Sequence, residues 1–403
     1  MFDAPFEHYL AYGATDQSTV RELAGKFTGL IVPGTVAAFQ REGTGGFVLT
    51  LSASQSATPY TIDPRFPLFQ QPLSAPKKSH IALADLLGKL DLVSIDQPDP
   101  LGFTDEIIED IASHWVSFNV QYRDSARSKF DKYAKRLNEP IAPENMTGPK
   151  YVLAPYTVAS GLNHSWWDVS CKLYERTVAH VPQPENCIQV VAATEARFLD
   201  ELLDATDSRR IAIWVSQLNE LTLPSRVLSE YASAIRNAST AGKQTFALYG
   251  GFFSVLLSSV GLRGSCHGIG YGEYRDYLEL PRSGPPPARY YLPLVHRYVS
   301  QELAFQLWLS DPGLAECDCE VCNRQSPIDL KYHPLMRHSV LCRSKEIDEW
   351  TVLDLGGIID RLTKERGSFL TRLERSSAPD LVKSEALRIA AHLQEWINAL
   401  SNL

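Results

Sequence analysis

Short apolar, β-branched runs alternate along the chain with longer stretches of helical spacing. The strand candidates are residues 29–32, 47–51, 60–62, 92–95, 151–156, 188–192, 211–215, 244–249 and 264–269. Helical patterns lie between several of them, over 79–90, 104–138, 194–206 and 224–240. Strands that alternate with helices argue for parallel βαβ units. A nearly continuous apolar run such as Ile188-Gln189-Val190-Val191-Ala192-Ala193 suits a sheet covered on both faces. The pattern predicts an α/β fold, a (β/α)8 barrel preceded by an amino-terminal β-hairpin over 29–51, with an open doubly wound sheet as the alternative. Beyond Ile269 the texture changes. The segment Pro281-Arg282-Ser283-Gly284-Pro285-Pro286-Pro287 interrupts regular structure, and helical sequence runs from Ile347 to the end. A barrel over 1–280 and a small helical subdomain over 281–403 are expected. No internal repeat is visible.

Composition narrows the setting. The 403 residues are 44% apolar and 21% charged, enough for a large core and without a disordered segment. The opening Met1-Phe2-Asp3-Ala4-Pro5-Phe6-Glu7 is too acidic and mixed for a signal peptide. No apolar run is long enough for a membrane span. Seven cysteines, three of them packed into one short motif, do not form a secreted disulfide framework, so a reducing, cytoplasmic setting is expected. The net charge of −8 lowers the expectation of nucleic acid as the main partner.

The densest chemistry is Cys317-Asp318-Cys319-Glu320-Val321-Cys322. A borderline-soft ion such as Zn2+ takes thiolates and imidazoles at four tetrahedral corners, and Cys-x-Cys-x-x-Cys supplies three of them in one turn. The fourth ligand must come from another element. His338 is preferred over His333, because it opens a helix that can pack back on the cysteine turn. Cys342, one helical turn further on, is the alternative ligand or a buried neutral thiol. A site with no position left open is structural.

This cysteine motif with a distant histidine, carboxy-terminal to an α/β barrel, resembles the tRNA-guanine transglycosylases, which exchange guanine for a 7-deazaguanine base. The histidine stands closer to the last cysteine here than in that family. The resemblance extends over about 60–345 as an order of short matches. Leu92-Val93-Ser94-Ile95-Asp96 resembles the family strand that ends in a base-recognising Asp, which implies that Asp96 accepts hydrogen bonds from the base. Asp63, in Tyr60-Thr61-Ile62-Asp63-Pro64-Arg65-Phe66, stands where the family has its general acid/base Asp, although that loop's glycines are prolines here. Phe246-Ala247-Leu248-Tyr249-Gly250-Gly251 resembles the segment before the last barrel strand, which brings Tyr249 and Gly250 to the base. Gln217 and Asn219 are candidates to read polar edges of a purine. Trp166 and Trp167 either stack on a partner or pack a helix onto the barrel. The last strand of the family delivers an Asp nucleophile. Here Arg263-Gly264-Ser265-Cys266-His267-Gly268-Ile269-Gly270-Tyr271-Gly272-Glu273 has none. His267 and Glu273 remain as acid/base candidates, and Asp276 is the only downstream Asp nearby.

The resemblance is greatest to divergent members encoded beside nucleotidyltransferases in CBASS antiphage operons. It implies a protein that binds a 7-deazaguanine and helps attach it to a partner nucleotidyltransferase, with homodimerisation as an inherited expectation. An active DNA- or tRNA-guanine transglycosylase and a catalytically inactive scaffold are the alternatives.

Overall fold

The computed structural model describes residues 1–13, 15–137, 139–270, 272–278 and 287–403. The proline-rich break at 281–286 and Tyr271 of the glycine run lie outside the described residues. In chain order the first strands are β1 (Glu7–Ala11), β2 (Gly29–Pro33), β3 (Tyr60–Asp63), β4 (Val152–Leu153) and β5 (Val158–Ala159). They are followed by β6 (Cys187–Ala193), β7 (Arg210–Val215), β8 (Gln244–Ala247) and β9 (Leu262–His267). All pair in parallel, and β9 returns to β1 with Cys266 opposite Tyr9, which closes the barrel. β4 and β5 are two halves of one barrel position, both paired to β6. Pro155 separates them, because it has no N–H to give the ladder. Gln70 repairs the gap as a surrogate strand. Its side-chain amide donates to the Val158 carbonyl, and its Oε1 accepts from the Val158 N–H.

Alternation along the strands sorts side chains into two layers. Tyr9, Ile31, Leu153, Tyr156, Val190, Trp214, Phe246 and Cys266 fill the interior, and Met1 and Phe2 join this cluster beside Tyr151. The opposite faces join the outer helices, among them Asp105–Ser125, Ser165–His180 and Ser225–Thr240. The first starts where the sequence predicts, with the Thr104 side chain accepting from the Ile107 N–H and Asp105 and Glu106 in the first turn. Gly264 sits where β1, β8 and β9 crowd together. A Cβ there would lie 2.4 Å from the Glu7 carbonyl oxygen and 2.9 Å from the Phe246 ring.

The predicted hairpin is not formed. Residues 29–33 are barrel strand β2, and 47–51 lie in the helix Arg41–Ser52. Residues 44–52 of that helix are buried throughout, and an apolar run enclosed on all sides has no periodicity to tell helix from strand. The predicted strand at 92–95 is likewise absent. A 3-10 turn, Leu90–Leu92, runs into an exposed loop where Ile95 is 74% accessible. The barrel takes its eighth strand elsewhere, as β1 between β2 and β9, a strand the local pattern does not propose.

After the barrel, a two-stranded antiparallel ribbon (β10, Arg289–Leu292; β11, Arg297–Ser300) leads to five helices, the longest being Tyr332–Trp350 and Leu355–Arg375. They cover the barrel wall beside β8 and β9. Trp396 packs on Phe252 and Phe253 and donates its indole N–H to the Glu220 carbonyl. One apolar cluster therefore runs from Leu262 in the barrel to Trp396 near the chain end. No helix among the described residues is long and apolar enough to cross a membrane.

Candidate functional site

Sites of parallel barrels are built where the strands end. Asp63 ends β3, fully buried, and its carboxylate is ringed by partners. Arg65 Nε lies 2.7 Å from one oxygen, and the Arg65 backbone N–H donates to the other at 3.0 Å. The hydroxyls of Tyr156 and Tyr249 donate to it at 3.0 and 3.2 Å. Arg65 holds a left-handed backbone (φ 56°), an uncommon state for a non-glycine residue and one that turns its side chain back over the strand end. Its guanidinium lies 5.2 Å from the Tyr249 ring centre, and Trp214 packs on that ring at 5.2 Å. The mouth is thus a carboxylate and a guanidinium held inside an aromatic wall.

A strap of residues 275–277 crosses this mouth. The Trp214 indole and the Gln217 N–H both donate to the Arg275 carbonyl, and Arg275 Nη1 reaches the Tyr249 hydroxyl at 3.4 Å. The Asp276 carboxylate accepts from Ser216 Oγ at 3.1 Å and from the Gln217 amide at 2.9 Å. Gln71 donates to the Tyr277 carbonyl. Gln217, itself left-handed (φ 60°), therefore stands at the mouth with its amide engaged by the strap.

Of the other residues singled out in sequence, Tyr249 is part of the mouth, and Gly250 adjoins it with its N–H committed to the Cys266 carbonyl. Cys266 faces the interior, and burial pushes its thiol well above the usual range. His267 does not face the mouth. Strand alternation turns it outward, where Nε2 meets Ser265 Oγ at 2.8 Å and the ring meets His8 edge-on at 5.0 Å. Burial, with Arg343 nearby, holds both imidazoles far below the ordinary histidine value, His8 at about 3. Asp96 is the clearest displacement. It lies in the exposed loop after Leu90–Leu92, where its N–H bonds the Ser94 hydroxyl, and it edges a cavity of about 160 Å³ with Phe69 and Phe103. The turn-forming Asp96-Gln97-Pro98-Asp99-Pro100 ends in no strand. Trp166 and Trp167 are buried in the helix Ser165–His180, packing it to the barrel.

Glu273 joins a buried ionic network between barrel and carboxy-terminal helices. It pairs with Arg343 at 2.7 Å, and Arg343 also reaches Glu346 at 3.4 Å. His296 bridges Glu346 and Glu365 at 2.6 and 2.8 Å and stacks on Phe252 at 3.7 Å. Burial raises the Glu273 carboxyl from 4.5 to about 7, overcoming Arg343 with help from Glu220 and Glu346. The folded chain holds this proton more tightly than the unfolded one. Its contribution to stability is therefore complete below about pH 4.5 and is lost as pH rises through about 7. In urea titrations at pH 5 and pH 8, Glu273→Gln should show a smaller fall in stability with rising pH than the wild type. An equal fall would mean the proton sits elsewhere.

The cysteine turn forms as the spacing predicts. Ligand atoms of Cys317, Cys319, Cys322 and His338 all lie within 4.8 Å of one another, a group that can hold a metal ion. His338 lies inside the helix Tyr332–Trp350 rather than opening it. Its Nε2 donates to the Tyr291 carbonyl at 2.7 Å, which leaves the Nδ1 lone pair facing the sulfurs, and its ring stacks on Tyr290 at 4.4 Å. Backbone N–H groups of Cys319 and Cys322 point at the sulfurs of Cys317 and Cys319, each at 3.4 Å. His333 takes no part and lies near the hydroxyls of Ser18 and Thr19.

Sequence reading missed Arg65, Tyr156, Trp214, Arg275 and Arg343. Arg65 had a signal, two residues after an Asp that ends a strand. Tyr156 and Trp214 look like ordinary core aromatics until the barrel closes.

No protein-family model and no curated protein matches the chain. Among solved structures, a protein named as a fructose-1,6-biphosphate aldolase from Coccidioides immitis aligns at 10% identity over 85% of this chain and 89% of its own, with a TM-score of 0.36. Nitroalkane oxidase from Streptomyces ansochromogenes aligns at 10% identity over 91% and 98%, with a TM-score of 0.28. At these values neither bears on activity.

Proposed function

We propose that the chain is a divergent barrel of the tRNA-guanine transglycosylase kind. It binds a 7-deazaguanine base at the mouth and helps attach it to a protein partner, a nucleotidyltransferase of CBASS antiphage operons, in the cytoplasm. The observation that carries the base-binding part is the buried Asp63 carboxylate set within Tyr156, Trp214 and Tyr249. Aromatic faces stack a planar heterocycle, and a carboxylate accepts from its N–H edge. The order of features supports the family reading: an Asp ending β3, Tyr249-Gly250 after β8, and the cysteine turn after the barrel. The end of β9 supports an acceptor other than nucleic acid. It offers a protonated thiol at Cys266 and an outward-facing His267, and a glycosyl ester needs a carboxylate. The net charge of −8 favours the same side. In this reading the metal is Zn2+ in a closed, structural site.

The test is isothermal titration of the full chain with 7-cyano- and 7-amido-7-deazaguanine. Trp214→Leu is expected to weaken binding about tenfold or more, since stacking a base on an aromatic contributes about 1–3 kcal/mol. Asp96→Ala should bind as the wild type does. Absence of heat with both ligands, or loss only in Asp96→Ala, would overturn the mouth as the base site. The strap adds a kinetic expectation. Asp276→Ala removes the acceptor for Ser216 and Gln217, so association in stopped flow should quicken about tenfold, the scale of one charge-assisted hydrogen bond. Unchanged association would show that the strap does not gate the mouth.

Asp276 also favours a second reading, base exchange with Asp276 as nucleophile, because it brings a carboxylate to the mouth. A covalent adduct with guanine-containing RNA or DNA, seen by denaturing mass spectrometry and lost in Asp276→Asn, would select it.

A further inference from the structure

Five donor atoms, not four, gather between the cysteine turn and the helix Tyr332–Trp350. Cys342 follows His338 by one helical turn on the same face, so the two side chains cannot separate without breaking the helix. The Cys342 sulfur lies 3.7 Å from Cys317 Sγ and 3.4 Å from His338 Nδ1. A tetrahedral zinc ion, with bonds of about 2.3 Å to sulfur and about 2.0 Å to nitrogen, sets its ligand atoms roughly 3.5–3.8 Å apart. Cys342 keeps that spacing to two members of the cluster, although the tighter foursome is Cys317, Cys319, Cys322 and His338. Its thiol is buried, so it is shielded from bulk water on most sides while it touches the metal-binding atoms. Cys317, Cys319 and Cys342 are also among the residues that line one open groove, together with Lys345 and Arg324. A proton leaving Cys342 therefore has a path to solvent.

On the reading of the cluster as a zinc site, we infer that Cys342 is its reserve fourth ligand. With three cysteines and His338 as ligands, Cys342 would stand by unbound, its sulfur 3.7 Å from Cys317 Sγ. Were His338 to leave the ion, Cys342 would take its place as a thiolate, its proton going to solvent. The imidazole is released neutral, and no oxidant or reductant is needed. The site passes from three thiolates and an imidazole to four thiolates instead of emptying.

The experiment compares full-length wild type, His338→Ala, Cys342→Ala and the double variant. Zinc per chain is measured by elemental mass spectrometry, and visible spectra are recorded after cobalt substitution. Both single variants should carry about one zinc and the double variant almost none. The sulfur-to-cobalt charge-transfer band of His338→Ala should exceed the wild type by about one third, the ratio of four thiolates to three. Loss of metal in His338→Ala alone, retention in the double variant, or a three-thiolate spectrum in His338→Ala would each overturn the inference. A wild-type chain that takes up neither zinc nor cobalt would overturn the zinc reading itself, which keeps the two failures apart. Should His338→Ala fail to fold, His338→Gln, which can still donate to the Tyr291 carbonyl, is read in the same way.

Discussion

Replacing Asp63 by alanine is expected to lower the unfolding free energy by about 3–5 kcal/mol, the range for breaking a buried ion pair from one side. The size follows from what is left behind. Arg65 would keep a guanidinium that is 11% accessible, with no carboxylate beside it, and the hydroxyls of Tyr156 and Tyr249 would lose their acceptor. Arg275 adds a second cation close to Tyr249, so the mouth would carry uncompensated positive charge. Asp63→Asn keeps the shape and one accepting oxygen, and should cost less. Asp63→Asn combined with Arg65→Met removes both charges and should recover part of the loss, because burying neither ion is often as good as burying both. Urea unfolding of the four chains measures this. If Asp63→Ala changes stability by less than about 1 kcal/mol, the typical size of one ordinary hydrogen bond, the carboxylate is not the keystone of the mouth. The same experiment bears on function. A carboxylate with three side-chain partners can accept from a base only by giving up one of them, and Arg65 and the two tyrosines decide which.

The barrel was legible because its later strands are written as closed apolar runs. Ile188-Gln189-Val190-Val191-Ala192-Ala193 is buried at every position, and such a run has few other places to go. The first third of the chain was harder. Phe47-Val48-Leu49-Thr50-Leu51 has strand composition, yet it lies in a helix walled in on all sides. β1 was hidden for the opposite reason. Glu7-His8-Tyr9-Leu10 does not alternate: two polar residues precede two apolar ones, and Glu7 and His8, although buried, read as surface. What makes it a strand is the parallel pairing to β2 and β9, which no local pattern states.

The candidate site divides along the same line. The cysteine turn is a short-range device, and spacing alone brought three of the four candidate ligands together. The mouth is a long-range device. Asp63, Tyr156, Trp214, Tyr249 and Arg275 come from five separate stretches of the chain, and only the closure of the sheet makes them neighbours. Asp96 was attractive because it ends an apolar run. The run is only four residues long, and the prolines that follow hold it in a loop. His267 was misjudged by one position: Cys266 beside it faces the barrel interior, and period-two alternation sends the imidazole to the other side.

The second large effect concerns the metal. On the reading of the cluster as a zinc site, Cys322→Ser combined with Cys342→Ala should leave the chain with far less than one zinc and should unfold the carboxy-terminal helices well before the barrel. In zinc-dependent peptides the bound ion contributes about 10–16 kcal/mol near neutral pH, and a closed site makes that binding energy folding energy. Cys322 is buried against His338, with its sulfur 3.1 Å from Nδ1. Cys342 lies 3.4 Å from the same Nδ1 and 3.7 Å from Cys317 Sγ, so it is removed as well to keep it from completing the set. The helix Tyr332–Trp350 carries His338, Cys342, Arg343 and Glu346 along one length, so a loosened metal corner also frees the ion pairs to Glu273 and His296. Damage at the turn is thereby passed to the barrel wall through Arg343. Limited proteolysis of wild type and the Cys322→Ser/Cys342→Ala variant, with and without a zinc chelator, reads the outcome. Early cuts within residues 300–403 in the variant, and in the chelated wild type, are expected. Identical cleavage of all four samples would mean that the helices stand without the ion, their apolar packing on Phe252 and Phe253 being sufficient.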